Sequence, residues 1–289
     1  MLVGGALAQA ATQLDNEGVE SPRLDAELLL AHVLGVNRAA LFTWPERRLT
    51  PKELTRYRGL VARRAAREPL AYIVGQREFF GLDLAVGPAC LIPRPETELL
   101  VEHALRLGRR LAAAPQIADV GAGSGAIAVA LAVHLPGATV LALDGSAEAL
   151  AVAAENARRH GVAGRVHCLQ GDLLAPLPGP VDLIAANLPY VTTEEWAGLP
   201  PEIREHEPRA ALDGGPDGLA LIRRLLPAAA FCLRPEGAIL LEIGARQGQA
   251  VTALARQHFP LAEVQLYQDY AGLDRLVAIQ EGKSPVNPA

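Results

Sequence analysis

The chain has 289 residues, is 50% hydrophobic and carries a net charge of -5. That is enough apolar material for a sizeable core and two domains, and the acidic balance argues against a protein that coats nucleic acid. Three widely separated cysteines, Cys90, Cys168 and Cys232, lack metal-ligand spacing and fit a reducing cytoplasm.

No apolar run is long enough for a membrane span, and Met1 to Ala11 has no basic n-region, so no signal peptide is expected. Residues 1 to about 70 read as a small helical bundle. Ser21-Pro22 supplies a helix start and Gly35 a stop. Thr50-Pro51 starts another helix, with Glu53 at the capping-box position. Between Arg38 and Arg67 nine basic residues face two acids, Glu46 and Glu53. Lys52, Arg56, Arg63 and Arg67 share one helical face, and Leu54, Tyr57, Val61 and Ala65 another. The stripe reads equally as a solvated face or as a docking surface for an acidic or RNA-bearing partner.

Residues 71–90 change character. Tyr72 to Gly75 and Phe79 to Val86 suggest a β-hairpin linker. A helix follows from about Glu98 to Leu111. From Ile117 strands and helices alternate, with strands expected at 117–120, 139–143, 165–169, 181–186, 238–243, 263–268 and 275–280. Helices are expected near 125–134, 147–160, 217–233 and 247–258. This alternation makes an α/β fold, a mostly parallel seven-stranded sheet covered on both faces, whose last two strands form a hairpin with one strand antiparallel. Residues 91–282 would form this domain, and 283–289 a flexible tail.

Gly121-Ala122-Gly123-Ser124-Gly125 follows the first strand of the sheet and opens a helix. Its glycines allow a tight turn and close approach to a ligand. Asp144, 23 residues after Gly121 at the end of the next strand, can take both hydroxyls of a ribose. Alone this pattern fits NAD, FAD or S-adenosylmethionine about equally. Asp119, just before the loop, either braces the turn or contacts the ligand. Asp172 and Leu173 end the third strand, where a methyltransferase meets the adenine. Asn187-Leu188-Pro189-Tyr190 ends the fourth. An Asn-x-Pro-aromatic corner there points to methyl transfer onto a planar, weakly nucleophilic nitrogen. Asn187 offers a side-chain oxygen, Pro189 biases Leu188 to an extended backbone whose carbonyl can face a pocket, and Tyr190 can wall it. A nicotinamide oxidoreductase has no use for this corner.

The chain resembles the HemK/PrmC family of protein-(glutamine-N5) methyltransferases. The resemblance is carried by Arg77 to Leu82, Leu91 to Glu98, Asp119 to Ala126, Glu207 to Leu212, Gly214 to Leu219 and Asp269 to Arg275. The Ile92-Pro93-Arg94-Pro95-Glu96-Thr97-Glu98 and Gly214-Gly215-Pro216-Asp217-Gly218-Leu219 segments separate it from other amino-methyltransferases. It implies the class I methyltransferase fold with S-adenosyl-L-methionine as cofactor. The implied substrate is the glutamine of the Gly-Gly-Gln loop in class-1 peptide chain release factors, recognised by the N-terminal helices. The family usually carries Asn-Pro-Pro-Tyr, so Leu188 is a departure; a backbone carbonyl is what that position must supply, and leucine supplies it.

Phe79 and Phe80 either line the glutamine entrance or join the two domains. Arg94 is a candidate substrate contact, or it forms with Glu96 an ion pair that orders its loop. A structural role is expected for Glu242. His134, His160, His167, His206 and His258 form no triad or metal cluster, so no metal is expected. Two rivals remain: a nucleic-acid adenine or guanine N-methyltransferase, kept alive by the basic stripe, and a non-catalytic protein that retains the cofactor fold.

Overall fold

The computed structural model describes residues 1–282, so the tail expected at 283–289 lies outside the described residues. The chain divides into two compact units. The first is Met1–Gln76 with Pro200–His206, and the second runs Arg77–Leu199 and resumes at Glu207.

The first unit contains α1 (Val3–Asn16), α2 (Pro22–Leu34), α3 (Arg38–Thr43), α4 (Pro51–Ala65) and α5 (Leu70–Val74). Leu14, Leu29, Leu30, Tyr57 and Val61 make its core. Gly35 ends α2 in the left-handed region at φ 65, where its missing Cβ avoids strain. Thr50 and Glu53 form the expected capping box at the start of α4, whereas the Ser21 side chain caps nothing. Part of the basic stripe is paired inside this unit. Arg64, 6% exposed, bonds Asp25 at 2.7 Å and Glu202 at 3.0 Å. Arg67 reaches Glu202 at 2.7 Å and the carbonyl of Glu17 at 3.0 Å. Arg63 pairs with Glu68, and Arg47 with Glu53. The exposed pairs stabilise little, but opening the buried Arg64–Asp25 pair would strand a charge. Helical periodicity put Arg63 and Arg67 on one face, but α4 ends at Ala65 and Arg67 lies past its cap at φ 64; both arginines meet carboxylates of this unit.

One expected strand is a helix. Tyr72 to Val74, read as the hairpin's first arm, form α5, a single turn between Pro69 and the left-handed Gly75, and it buries Tyr72 and Ile73. The β-branched pair looked like a strand because so short a helix shows no period. The hairpin is shorter, β1 (Gln76–Phe79) and β2 (Leu82–Ala85). Its two-residue loop, Phe80-Gly81, has φ of 52 and 74, the two positive values that suit a right-twisted hairpin.

The second unit continues with α6 (Thr97–Leu111), β3 (Gln116–Val120), α7 (Ala126–His134), β4 (Thr139–Asp144), α8 (Ala147–Arg159), β5 (Val166–Gln170), β6 (Val181–Ala186) and α9 (Thr193–Trp196). The chain then supplies α10 (Pro201–His206) to the first unit before α11 (Ala220–Cys232), β7 (Leu233–Glu242), α12 (Gly248–His258), β8 (Glu263–Gln268) and β9 (Asp274–Gln280). The strands form one seven-stranded sheet in the order β5-β4-β3-β6-β7-β9-β8. All neighbours are parallel except that β9 lies antiparallel between β7 and β8. The expected α/β sheet and its terminal hairpin are therefore present. Successive residues alternate between two apolar layers: Ile117 and Leu183 enter one, Ala118 and Ile184 the other. Both faces are buried, which is why these strands read as continuous apolar runs.

Candidate active site

The chain leaves β3 in opposite directions, towards β4 on one side and, later, β6 on the other. Ligands in such sheets bind outside the carboxyl ends of the strands at this reversal. Here Val120 stands in register with Ala186, so Gly121 and Asn187, each the next residue, emerge side by side. Asp144 pairs with Gln170 on the other flank. A cavity of about 900 Å³ opens there, within the range of small-molecule sites. Gly121, Gly123, Asp144, Asp172, Leu173, Asn187, Leu188 and Pro189 all line it.

The glycine loop is needed as glycine. Gly121, Gly123 and Gly125 have φ of 78, 54 and 76. A Cβ on Gly121 would meet Leu188 and the Asn187 carbonyl, and one on Gly125 would strike Ala153 at 2.8 Å. The loop is thus pressed between the α8 helix and the Asn187 corner. Ala122 and Ser124 are buried beneath it. Asp144 ties down the loop by accepting Gly123 N–H at 2.8 Å and Ser146 N–H at 2.9 Å. Each of its oxygens keeps a second lone pair.

Asp119 is fully buried and accepts Ala128 N–H at 3.0 Å, so it braces the first turn of α7; its other oxygen has no partner among the described residues. Burial, aided by neighbouring Asp144 and opposed by the Ala128 bond, pushes its carboxyl up to about 7. A carboxyl raised on folding stabilises the protein below its ordinary value and loses that stabilisation as pH rises through the raised one. Asp119→Asn should therefore gain on the wild type by about 1.4 kcal/mol per pH unit across that window. Urea unfolding at a series of pH values checks this; a difference independent of pH would contradict it.

Asp172 lines the cavity, but its carboxylate is paired with Arg224 on α11. Leu173 has a φ of 48, unusual for a residue with a side chain. Such a backbone costs about 1 kcal/mol and persists where the surroundings enforce it, often at ligand sites.

The Asn187 corner is held from behind. Asn187 Nδ2 donates to Thr97 Oγ1 at 3.1 Å. No hydrogen bond among the described residues occupies Asn187 Oδ1 or the Leu188 carbonyl. Leu188 itself is 4% exposed and packs into the core beside Ala186 and Leu219, so its side chain anchors the corner as well as lining the cavity. The Gly214–Leu219 segment lies against the corner: Gly214 N–H donates to the Val191 carbonyl at 2.8 Å, and Val191 N–H to Leu212 at 2.9 Å. Gln247 Nε2 donates to the Tyr190 carbonyl at 2.9 Å while its oxygen accepts Gly244 N–H at 2.8 Å.

Tyr190 does not wall the cavity. Its hydroxyl donates to Glu242 at 3.3 Å, and burial, with Glu242 nearby, lifts that hydroxyl above its ordinary range, so it is no base. Phe79 does not line an entrance: it is 1% exposed, in the core cluster with Leu84, Leu100 and Ala104. Arg94 pairs with Glu207 rather than Glu96, at 2.5 Å, and Glu207 also accepts Ile92 N–H at 3.1 Å. Thr97, Glu207 and Gln247 were missed as site-building residues. Thr97 and Glu207 lie inside segments that carried the resemblance, but nothing in their spacing says that they meet the corner or the Ile92 loop across 90 and 115 residues. No group of His, Cys, Asp and Glu among the described residues has the arrangement of a metal site. No helix there is long and apolar enough to cross a membrane.

Known proteins share this pattern. The PrmC N-terminal domain matches residues 5–75, and the Methyltransferase small domain residues 95–198. The release factor glutamine methyltransferase of Moorella thermoacetica is 50% identical, covering 95% of this chain and 97% of its own. That of Geobacter sulfurreducens is 47% identical over 91% of each chain. A methyltransferase from Pyrococcus furiosus, 17% identical with a TM-score of 0.52 over 76% of this chain and 97% of its own, shares the fold. Likeness of this extent, running through both units, means that the chain belongs to the release factor glutamine methyltransferase family.

Proposed function

We propose that this chain transfers a methyl group from S-adenosyl-L-methionine to the side-chain amide nitrogen of the glutamine in the Gly-Gly-Gln loop of class-1 release factors. The observation that carries the reading is the corner itself: Asn187 is tied back through its nitrogen, and its oxygen and the Leu188 carbonyl, beside the glycine loop, have no partner among the described residues. Those two acceptors match the two hydrogens of a primary amide.

The residues present fit the cofactor. Gly121 and Gly123 offer backbone that a Cβ would block, Asp144 keeps lone pairs for ribose hydroxyls, and Leu173 gives apolar surface for a purine. When bound, S-adenosyl-L-methionine supplies an electrophilic methyl group. The protein's work is to position the nucleophile. An amide nitrogen is weak because its lone pair is delocalised into the carbonyl. Asn187 Oδ1 and the Leu188 carbonyl hold that nitrogen through its two hydrogens, with Pro189 restricting the Leu188 backbone. As the nitrogen becomes pyramidal and positive, both bonds strengthen, which favours the transition state over the ground state. The methylated nitrogen then sheds its proton readily, so no strong base is required.

The helical unit, whose residues 5–75 match the PrmC N-terminal domain, would recognise the release factor as a folded protein, and the cytoplasm is where that substrate works. Labelled S-adenosyl-L-methionine, incubated with the enzyme and with purified release factor, DNA and RNA in parallel, tests the proposal. Label should enter the release factor alone. Label entering DNA or RNA instead would overturn it.

A further inference from the structure

Two buried polar side chains stand behind the acceptor corner, off the cavity wall. Thr97, the first residue of α6, is 4% exposed, and Glu242, the last residue of β7, is 2% exposed. The Thr97 hydroxyl accepts from Asn187 Nδ2 at 3.1 Å and acts on the nearby Glu242 carboxylate in favour of its ionised form. The Tyr190 hydroxyl donates to the same carboxylate at 3.3 Å, while the second carboxylate oxygen has no hydrogen-bond partner among the described residues.

Proton counting gives this chain of bonds a direction. A threonine hydroxyl has one proton, and an ionised carboxylate only accepts. The Thr97 proton therefore goes to Glu242, and Thr97 has only lone pairs left for Asn187. Asn187 can answer them only with its NH2 end, so its oxygen must face outward. Turned end for end, the same amide would present donors to the donors of an incoming glutamine NH2 and repel it. Resting on the reading of the corner proposed above, the geometry points to Thr97 and Glu242 as positioning residues that fix which end of the Asn187 amide faces the methyl acceptor.

The arrangement carries its own pH dependence. Burial pushes the Glu242 carboxyl up to about 7, against the Thr97 and Tyr190 hydrogen bonds and the Arg275 charge, while Glu96 adds to the rise. Arg94 acts on Tyr190, the partner of that carboxylate. A protonated Glu242 can itself donate to Thr97, which releases the Thr97 proton towards Asn187 and permits the reversed amide. The productive orientation is thus secured as pH rises through about 7 and weakened below it.

The test compares kcat on the release factor for Thr97→Val, Thr97→Ser and Glu242→Gln, with cofactor affinity measured separately. Valine keeps the shape and removes the hydroxyl. It should lower kcat at least about tenfold with cofactor affinity unchanged, while serine stays within about threefold of wild type. Glutamine at 242 can donate to Thr97 at every pH, so it should lower kcat and abolish the rise of wild-type kcat with pH. Near-wild-type kcat in Thr97→Val, equal impairment in Thr97→Ser, or a persisting pH rise in Glu242→Gln would each overturn the relay. Should valine unfold the chain, the serine and glutamine variants still decide. A wild-type enzyme inactive on the release factor would instead overturn the substrate reading, and that outcome is distinct because it needs no variant.

Discussion

Asn187→Ala should abolish measurable turnover on the release factor and leave the affinity for S-adenosyl-L-methionine nearly intact. The alanine removes one of two acceptors that would hold the amide nitrogen, and it does so where the bond is worth more in the transition state than in the ground state. Loss of one such preorganised contact costs about 10²–10³ in kcat, and here misplacement of the nitrogen adds to it. The cofactor contacts assigned to the glycine loop and Asp144 do not pass through the Asn187 side chain, whose only bond among the described residues is to Thr97. Single-turnover kinetics with a separate binding titration distinguish the two effects. A parallel collapse of cofactor affinity would make Asn187 a cofactor ligand first.

Gly218→Ala should be the most damaging single methyl in the second unit. Gly218 has a φ of 74, and a Cβ there would fall on the Tyr190 carbonyl and the Gln247 amide. Backbone cannot yield as a flexible side chain can. The left-handed conformation alone costs an alanine about 1 kcal/mol, and with the clash the loss should reach about 3 kcal/mol or more. Because Gln247 and the Gly214–Leu219 segment hold the corner, turnover should fall by about 10²-fold even where the fold survives. Gly59→Ala in α4 has open space around its Cβ and serves as the neutral control. Thermal unfolding and kcat measured on both variants check the contrast; near-wild-type values for Gly218→Ala would refute the view that this segment supports the site.

Much of the architecture was legible because it rests on local patterns. Val181–Ala186 announced itself as a doubly buried strand, and the glycines at 121, 123 and 125 marked a turn that needs positive φ. Parallel pairing then explains why Gly121 and Asn187 meet, since consecutive strand ends carry consecutive site elements. Contacts made across long stretches of chain were not legible. Thr97 reads as the start of a helix, and only the fold brings its hydroxyl to Asn187. Phe79 reads as an entrance aromatic until the hairpin turns it into the core. Nothing in the spacing says that Arg64 and Arg67 of the basic stripe meet Glu202, from a segment more than a hundred residues on. Glu242 ends β7 as expected, but its burial and its bond to Tyr190 make more of it than sheet-end polarity.

The central claim is that the free oxygens of Asn187 and Leu188 select a glutamine amide nitrogen. Fragmentation mass spectrometry of the peptide that carries the Gly-Gly-Gln loop, after methylation of intact release factor by this enzyme, tests it most directly. The methyl should sit on the side-chain nitrogen of that glutamine, and be absent when Asn187→Ala enzyme is used. A methyl on a lysine, a carboxylate or another glutamine, or one still installed by Asn187→Ala enzyme, would contradict the account.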